Sequence, residues 1–182
     1  AIVGTVSGTS ISFGTANTYN SVTTEDAVCT FDSTNNKVVV VYRNNINPKD
    51  IDSRVGTVSG TSISFGDATS IQNVGTSYVT DISVAFDPDN SAIVTVYMDA
   101  SNGIGSGTYA IGAVSGDAIS FETPVVFHAP STEDTNLVYD TNADKFVISY
   151  KDAANSNYGT SVVLTVTGAV PNFTIGSTYY VQ

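Results

Sequence analysis

One cysteine (Cys29), one histidine (His128), one methionine and no tryptophan occur in 182 residues. A lone cysteine excludes an intrachain disulfide framework and any multi-cysteine metal site. Cations are equally scarce. Lys and Arg number 6 against 17 Asp and Glu, for a net charge of −11. Such an acid excess repels phosphate backbones, so no nucleic-acid partner is expected. The only arginines are Arg43 and Arg54, too few for a sialidase-type arginine triad within one chain. The longest wholly aliphatic run, Val38 to Val41, is far too short to span a bilayer, and no membrane partner is expected. No 10-residue stretch carries a helical period. The chain starts at Ala1 with no visible signal peptide, which suggests a processed form or a piece of a longer protein.

What the sequence does have is uncharged polarity. Ser and Thr total 46 and Asn 15, while 41% of residues are hydrophobic. That apolar content is too high for disorder, and the β-branched excess favours strands.

The chain is also internally repetitive. Gly4-Thr5-Val6-Ser7-Gly8 returns at Gly56–Gly60 and, with Ala113, at Gly112–Gly116; Leu164–Gly168 is a weaker copy. The starts lie 52, 56 and 52 residues apart. Phe13, Phe65, Phe121 and Phe173 follow at a fixed distance of 9. An aromatic-Asp pair recurs at Phe31-Asp32, Phe86-Asp87 and Tyr139-Asp140, with Tyr42, Tyr97 and Tyr150 each 11 residues after its aromatic. Two other intervals vary. From Phe to the next aromatic-Asp pair they are 18, 21 and 18; from Tyr to the next repeat start, 14, 15 and 14.

Each full unit reads as four strands. Strand A covers Ala27–Phe31, Ile82–Phe86 or Thr135–Tyr139, with apolar residues at even offsets from the aromatic. Strand B covers Val38–Tyr42, Ile93–Tyr97 or Phe146–Tyr150, a continuous apolar run expected of a strand buried on both faces. Asp-, Asn- and Pro-rich hairpin turns join A to B. Strand C runs into the Val-Ser-Gly turn. Strand D is Ser10–Phe13, Ser62–Phe65, Ala118–Phe121 or Pro171–Phe173, the last followed by a tail, Thr174–Val181.

Units of this size with four antiparallel strands predict an all-β, β-propeller-like fold of three and a half blades; a β-solenoid or sandwich array is the alternative. The chain divides into a half-repeat, 1–23, and repeats at 24–75, 76–130 and 131–182, all one repeat domain. An incomplete ring leaves open strand edges, so a homo-oligomer is expected to close it.

Length variation falls on the D–A and B–C connections, which share one side of such a unit, and that side is the candidate binding face. Asp26, Asp81 and Asp134 lie there, each five residues before the strand-A aromatic. They read either as Asx residues that cap turns or bond neighbouring backbone, or as oxygens ringing a channel mouth that recognise sugar hydroxyls or a cation. Asn44, Asp99 and Asp152 follow strand B, and Tyr109 and Tyr158 are candidate aromatic platforms for a glycan. Asp87, Asp89 and Asn90 bring three oxygens together, but they lack a calcium-loop pattern and read as an Asx turn.

Catalysis and cofactors find no motif. His128 and the serines lie in no Gly-x-Ser-x-Gly elbow, and no phosphate or nucleotide loop is present. His128 reads as structural, and Cys29, on the apolar side of strand A, as a core thiol. No metal, no cofactor and no enzymatic activity is expected.

Val3–Gly14 and Val55–Gly66, together with the strand Val147–Asp152, resemble repeats in large virion proteins of tailed bacteriophages, marine ones especially. The close, Asn172–Gln182, looks like the start of a small β module that follows such repeats in tail-fibre and appendage proteins. The resemblance implies a non-enzymatic structural or adhesive role in the virion or an extracellular setting. Its partners would be other virion proteins or copies of itself, with a host surface glycan as ligand. A secreted or cell-surface lectin-like module of a bacterium is the alternative, and a polysaccharide-active propeller enzyme a further one.

Overall fold

The structure, a computed structural model, describes residues 1–46, 49–75, 77–167, 172–176 and 179–180, the last two stretches by their backbone alone. The described residues form antiparallel sheets without helix, and no sheet closes into a barrel. Gly168, Pro171, Ser177, Thr178 and Val181, which the sequence places in the last turn, strand and tail, lie outside the described residues, as do Asn47 and Pro48 of the first B–C loop.

The chain opens with a hairpin, β1 (Gly4–Ser7) and β2 (Ser10–Phe13). A first meander follows: β3 (Thr24–Asp32), β4 (Lys37–Asn44) and β5 (Ile51–Ser59). Its outer edge is made by two short strands on β5, with β6 (Ser62–Phe65) on its far half and β7 (Thr69–Gln72) on its near half. The second meander is β8 (Val79–Asp87), β9 (Ala92–Asp99) and β10 (Ser106–Ser115), edged by β11 (Ala118–Phe121). β12 (Val125–Asp140) then runs along β10 and continues without a break as the first strand of the third meander. That meander adds β13 (Lys145–Asp152) and β14 (Tyr158–Thr167), with β15 (Asn172–Ile175) and β16 (Tyr179–Tyr180) on its edge. The second and third meanders therefore form one sheet, and the first stands in another.

The same local chemistry shapes each meander. Asp32 Oδ1 accepts the N–H groups of Thr34 and Asn35, and Asp87 Oδ1 those of Asp89 and Asn90. Asp140 does the same for Asn142 and Ala143. These are the expected Asx turns. Gly8, Gly60 and Gly116 begin the two-residue turns β1–β2, β5–β6 and β10–β11 with φ of 59–63°, where a Cβ is costly.

Consecutive meanders stack through two apolar layers. The first joins Val39, Val41, Ile51 and Val55 to Ile82, Ile93, Tyr97, Val114 and Ile119. The second joins Val94, Val96, Tyr109 and Ile111 to Phe146, Ile148, Tyr150, Val162 and Leu164. β3, β8 and β12 lie side by side as the innermost strands. β4 and β9 are buried on both faces along most of their length, whereas β13 alternates.

One expectation needs correcting. Cys29 is exposed, and its strand neighbour Phe31 is 53% exposed. Their counterparts Val84 with Phe86, and Leu137 with Tyr139, pack against the apolar layers. The segment before β3 supplies only a two-stranded hairpin and a connection, with no inner strands to cover this face.

Candidate functional site: a cleft between the second and third meanders

The variable connections do converge. A cleft of about 480 Å³ opens between the second and third meanders. Its walls are Tyr78 just before β8 with Thr80 and Asp81 at its start, Met98 near the end of β9, Gly103–Gly105 of the β9–β10 connection, and the middle of β12 (Ser131–Asp134). Tyr78 is 45% and Ile104 56% exposed, so the rim carries two apolar platforms beside the carboxylates. Gly103 and Gly105, with φ of 79° and 76°, let the connection fold over Met98.

Asp26, Asp81 and Asp134 each occupy the extra position of a bulge in β3, β8 or β12, with φ of 51°, 56° and 53°. Aspartate is among the few residues that accept this left-handed conformation, and a bulge re-aims its side chain. The Asp81 carboxylate accepts the backbone N–H of Asp134 and the Thr80 hydroxyl, the latter at 3.1 Å. The Thr135 hydroxyl donates back to the Asp81 carbonyl. Asp81 thus bonds the backbone of a neighbouring strand, and Asp81 and Asp134 line the cleft. Asp26 is occupied differently, with Arg43 Nε 3.2 Å from its carboxylate and the same guanidinium paired to Glu25.

The cleft is electrostatically acidic. Burial, reinforced by the charges of Asp134 and Asp26, pushes the Asp81 carboxyl above its usual range. Lys151 pairs with Glu133, whose hydrogen bond and charge hold the lysine more firmly protonated. Where Arg43 and Lys151 supply a cation in the first and third meanders, the equivalent second-meander position is Met98. Asp81 therefore has no counterpart to those pairs from its own meander.

Of the other expected ligand residues, Asp99, Asp152 and Tyr109 are buried and Asn44 is half-buried. Asp99 is buried and accepts hydrogen bonds from Gln72 Nε2 at 2.7 Å and Ser101 N at 2.8 Å. Asp152 is buried with His128 Nε2 at 3.2 Å and receives the Ala154 N–H. Asn44 accepts from Asn20 at 2.7 Å and donates to Asp52. Asn20, Gln72 and His128 are equivalent positions, so this set forms a repeated polar joint between successive units. Tyr97 donates to Gln72, and Tyr150 lies 3.4 Å from His128 Nδ1. His128 thus serves this joint. Tyr109 is also buried, its phenol pushed up to about 12 by desolvation, and offers no platform. Tyr158 is exposed but does not line the cleft.

Asp87, Asp89 and Asp144 bring one carboxylate oxygen each within 4.8 Å of one another. Asp87 is engaged in its Asx turn, and the Tyr139 hydroxyl donates to Asp144 at 2.7 Å, with Asp89 3.2 Å away. Burial and these carboxylates push the Tyr139 phenol upward, so it stays a donor.

Tyr78, Thr80 and Ile104 escape the sequence reading. Their signal lay in the longest D–A interval, the 21 residues from Phe65 to Phe86, and in the Gly103/Gly105 pair. No protein-family model and no curated protein matches the chain.

Proposed function

We propose that the chain is a non-enzymatic structural or adhesion element of a phage virion, of tail-fibre or appendage type, whose units are propeller-like blades. It associates with copies of itself or other virion proteins and takes a host surface glycan in the cleft between the second and third meanders. The observation that carries the glycan half is the composition of that cleft: an exposed Tyr78 and Ile104 beside Thr80, Asp81, Ser131 and Asp134. Sugars present an apolar C–H face and a fringe of hydroxyls, and sites for them pair an aromatic or aliphatic surface with fixed acceptors. The virion half rests on the repeat resemblance and the uncharged-polar composition.

A glycan array followed by NMR titration of any hit tests this. Binding that Tyr78→Ala weakens at least roughly tenfold, on the scale of about 1.4 kcal/mol, is the expected result. Blank arrays and no adhesion to host cells would remove the adhesion role and leave a scaffold.

A further inference from the structure

Each internal layer joins a leading face of one meander to a trailing face of the next. The leading face contributes Val39, Val41 and Val55 to the first layer, and Val94, Val96 and Ile111 to the second. The trailing face contributes Val114 and Ile119, with Phe86 and Phe121 packed alongside. Among the described residues, both faces recur at the two ends of the molecule with no further meander packed on them. On the third meander the leading positions are Val147, Ser149 and Val163, and Val138 beside them is 58% exposed. A shallow depression of about 140 Å³ lies over Val138, Val147 and Ser149. At the other end the trailing positions are Val6, Ile11 and Phe13, exposed by 72%, 55% and 61%, with Phe31 uncovered behind them.

Two complementary halves of a contact that the chain already makes twice internally are thus displayed at opposite ends. Exposed apolar faces of this kind mark association surfaces. Resting on the reading that copies associate, we propose that the free face of the third meander docks on the β1–β2 hairpin and β3 of a second copy. The contact is head-to-tail, joining two different surfaces. Such a heterologous contact closes a ring if its rotation allows and otherwise propagates as a filament. Ser149 stands where the internal leading faces carry Val41 and Val96, and Asn136 where the first carries Val28. The intermolecular contact is therefore weaker than the internal layers and reversible on dilution.

Sedimentation velocity on the wild type and on two single variants, Val6→Glu and Val138→Glu, tests it. Both sites are exposed, and circular dichroism checks that each variant keeps its β signal; Phe13→Glu serves as a second block of the hairpin face. Wild type is expected to form concentration-dependent species above the 18.9 kDa monomer. Each variant alone is expected to be monomeric. An equimolar mixture of Val6→Glu and Val138→Glu, which retains one intact pair of faces, is expected to give a discrete 1:1 dimer and nothing larger. Wild type that assembles while either variant still assembles, or while the mixture yields no dimer, overturns the head-to-tail contact and leaves association standing. Wild type that stays monomeric at all concentrations overturns both.

Discussion

Replacing Asp81 by Asn, Gly and Ala separates three roles that one side chain combines. Asp81 holds φ at 56°, accepts the N–H of Asp134 across to the next inner strand, and carries a charge that burial and its acidic neighbours penalise. Asn keeps the first two roles and removes the charge. Gly keeps only the backbone freedom. Ala keeps neither, losing about 1 kcal/mol to the left-handed conformation and about 1 kcal/mol with the hydrogen bond. Asn and Ala therefore differ by roughly 2 kcal/mol, or about 4–8 °C in melting temperature for a domain of this size. The expected order at pH 7 is Asn above wild type, then Gly, then Ala. The sign of the pH effect follows from linkage. A carboxyl whose pKa is raised on folding destabilises the folded state once it is ionised. Wild type thus loses stability as pH rises from the ordinary value of 3.8 through the raised folded value. The advantage of Asp81→Asn is full at neutral pH and vanishes below pH 3.8. Thermal melts by circular dichroism at pH 7 and pH 3 read both effects. An Ala variant as stable as Asn, or an Asn advantage undiminished at pH 3, would refute the account.

Three further outcomes are expected. A Cβ at Gly66 would lie 2.0 Å from the Asp117 carbonyl oxygen, so Gly66→Ala should cost about 1–3 kcal/mol in urea titrations, and an unchanged midpoint would contradict that close approach. Phe146→Ala empties the centre of the second apolar layer and should cost about 3–5 kcal/mol by the same measurement; a loss under about 1 kcal/mol would contradict that packing. Cys29, being exposed, should react with a chromogenic disulfide in the folded protein at one equivalent per chain, and reaction only after denaturation would contradict its position.

The repeat spacing made much of the architecture legible in the sequence. Ser10–Phe13, Ser62–Phe65 and Ala118–Phe121 coincide with β2, β6 and β11, because a left-handed glycine and a terminal aromatic bracket each strand. The Asx turns were legible for the same reason: Asp, Asn and Ser act on their own backbone. β7 and the first half of β12 pair with the near halves of β5 and β10, and that pairing leaves no periodic mark in the sequence. Cys29 was misplaced because apolar alternation identifies a face but not what lies against it. Asp99 and Asp152 read as ligands in the sequence for a related reason. A carboxylate after a strand looks the same whether it meets solvent or, as here, Gln72 and His128 of the preceding unit. Asp81 and Asp134 do reach the cleft, but the aromatic beside them, Tyr78, lies in the one connection that departs from the repeat.

The unbroken course of β12 has a mechanical consequence. Its 16 residues carry ladder pairing to β10 at one end and to β13 at the other, so tension on the chain there loads two ladders in series, with no slack between them. Between β7 and β8 the chain leaves the sheet at Gln72 and re-enters at Val79. The joint between the first two meanders is instead side-chain packing, with Ile71, Val74 and Val79 buried in the first apolar layer.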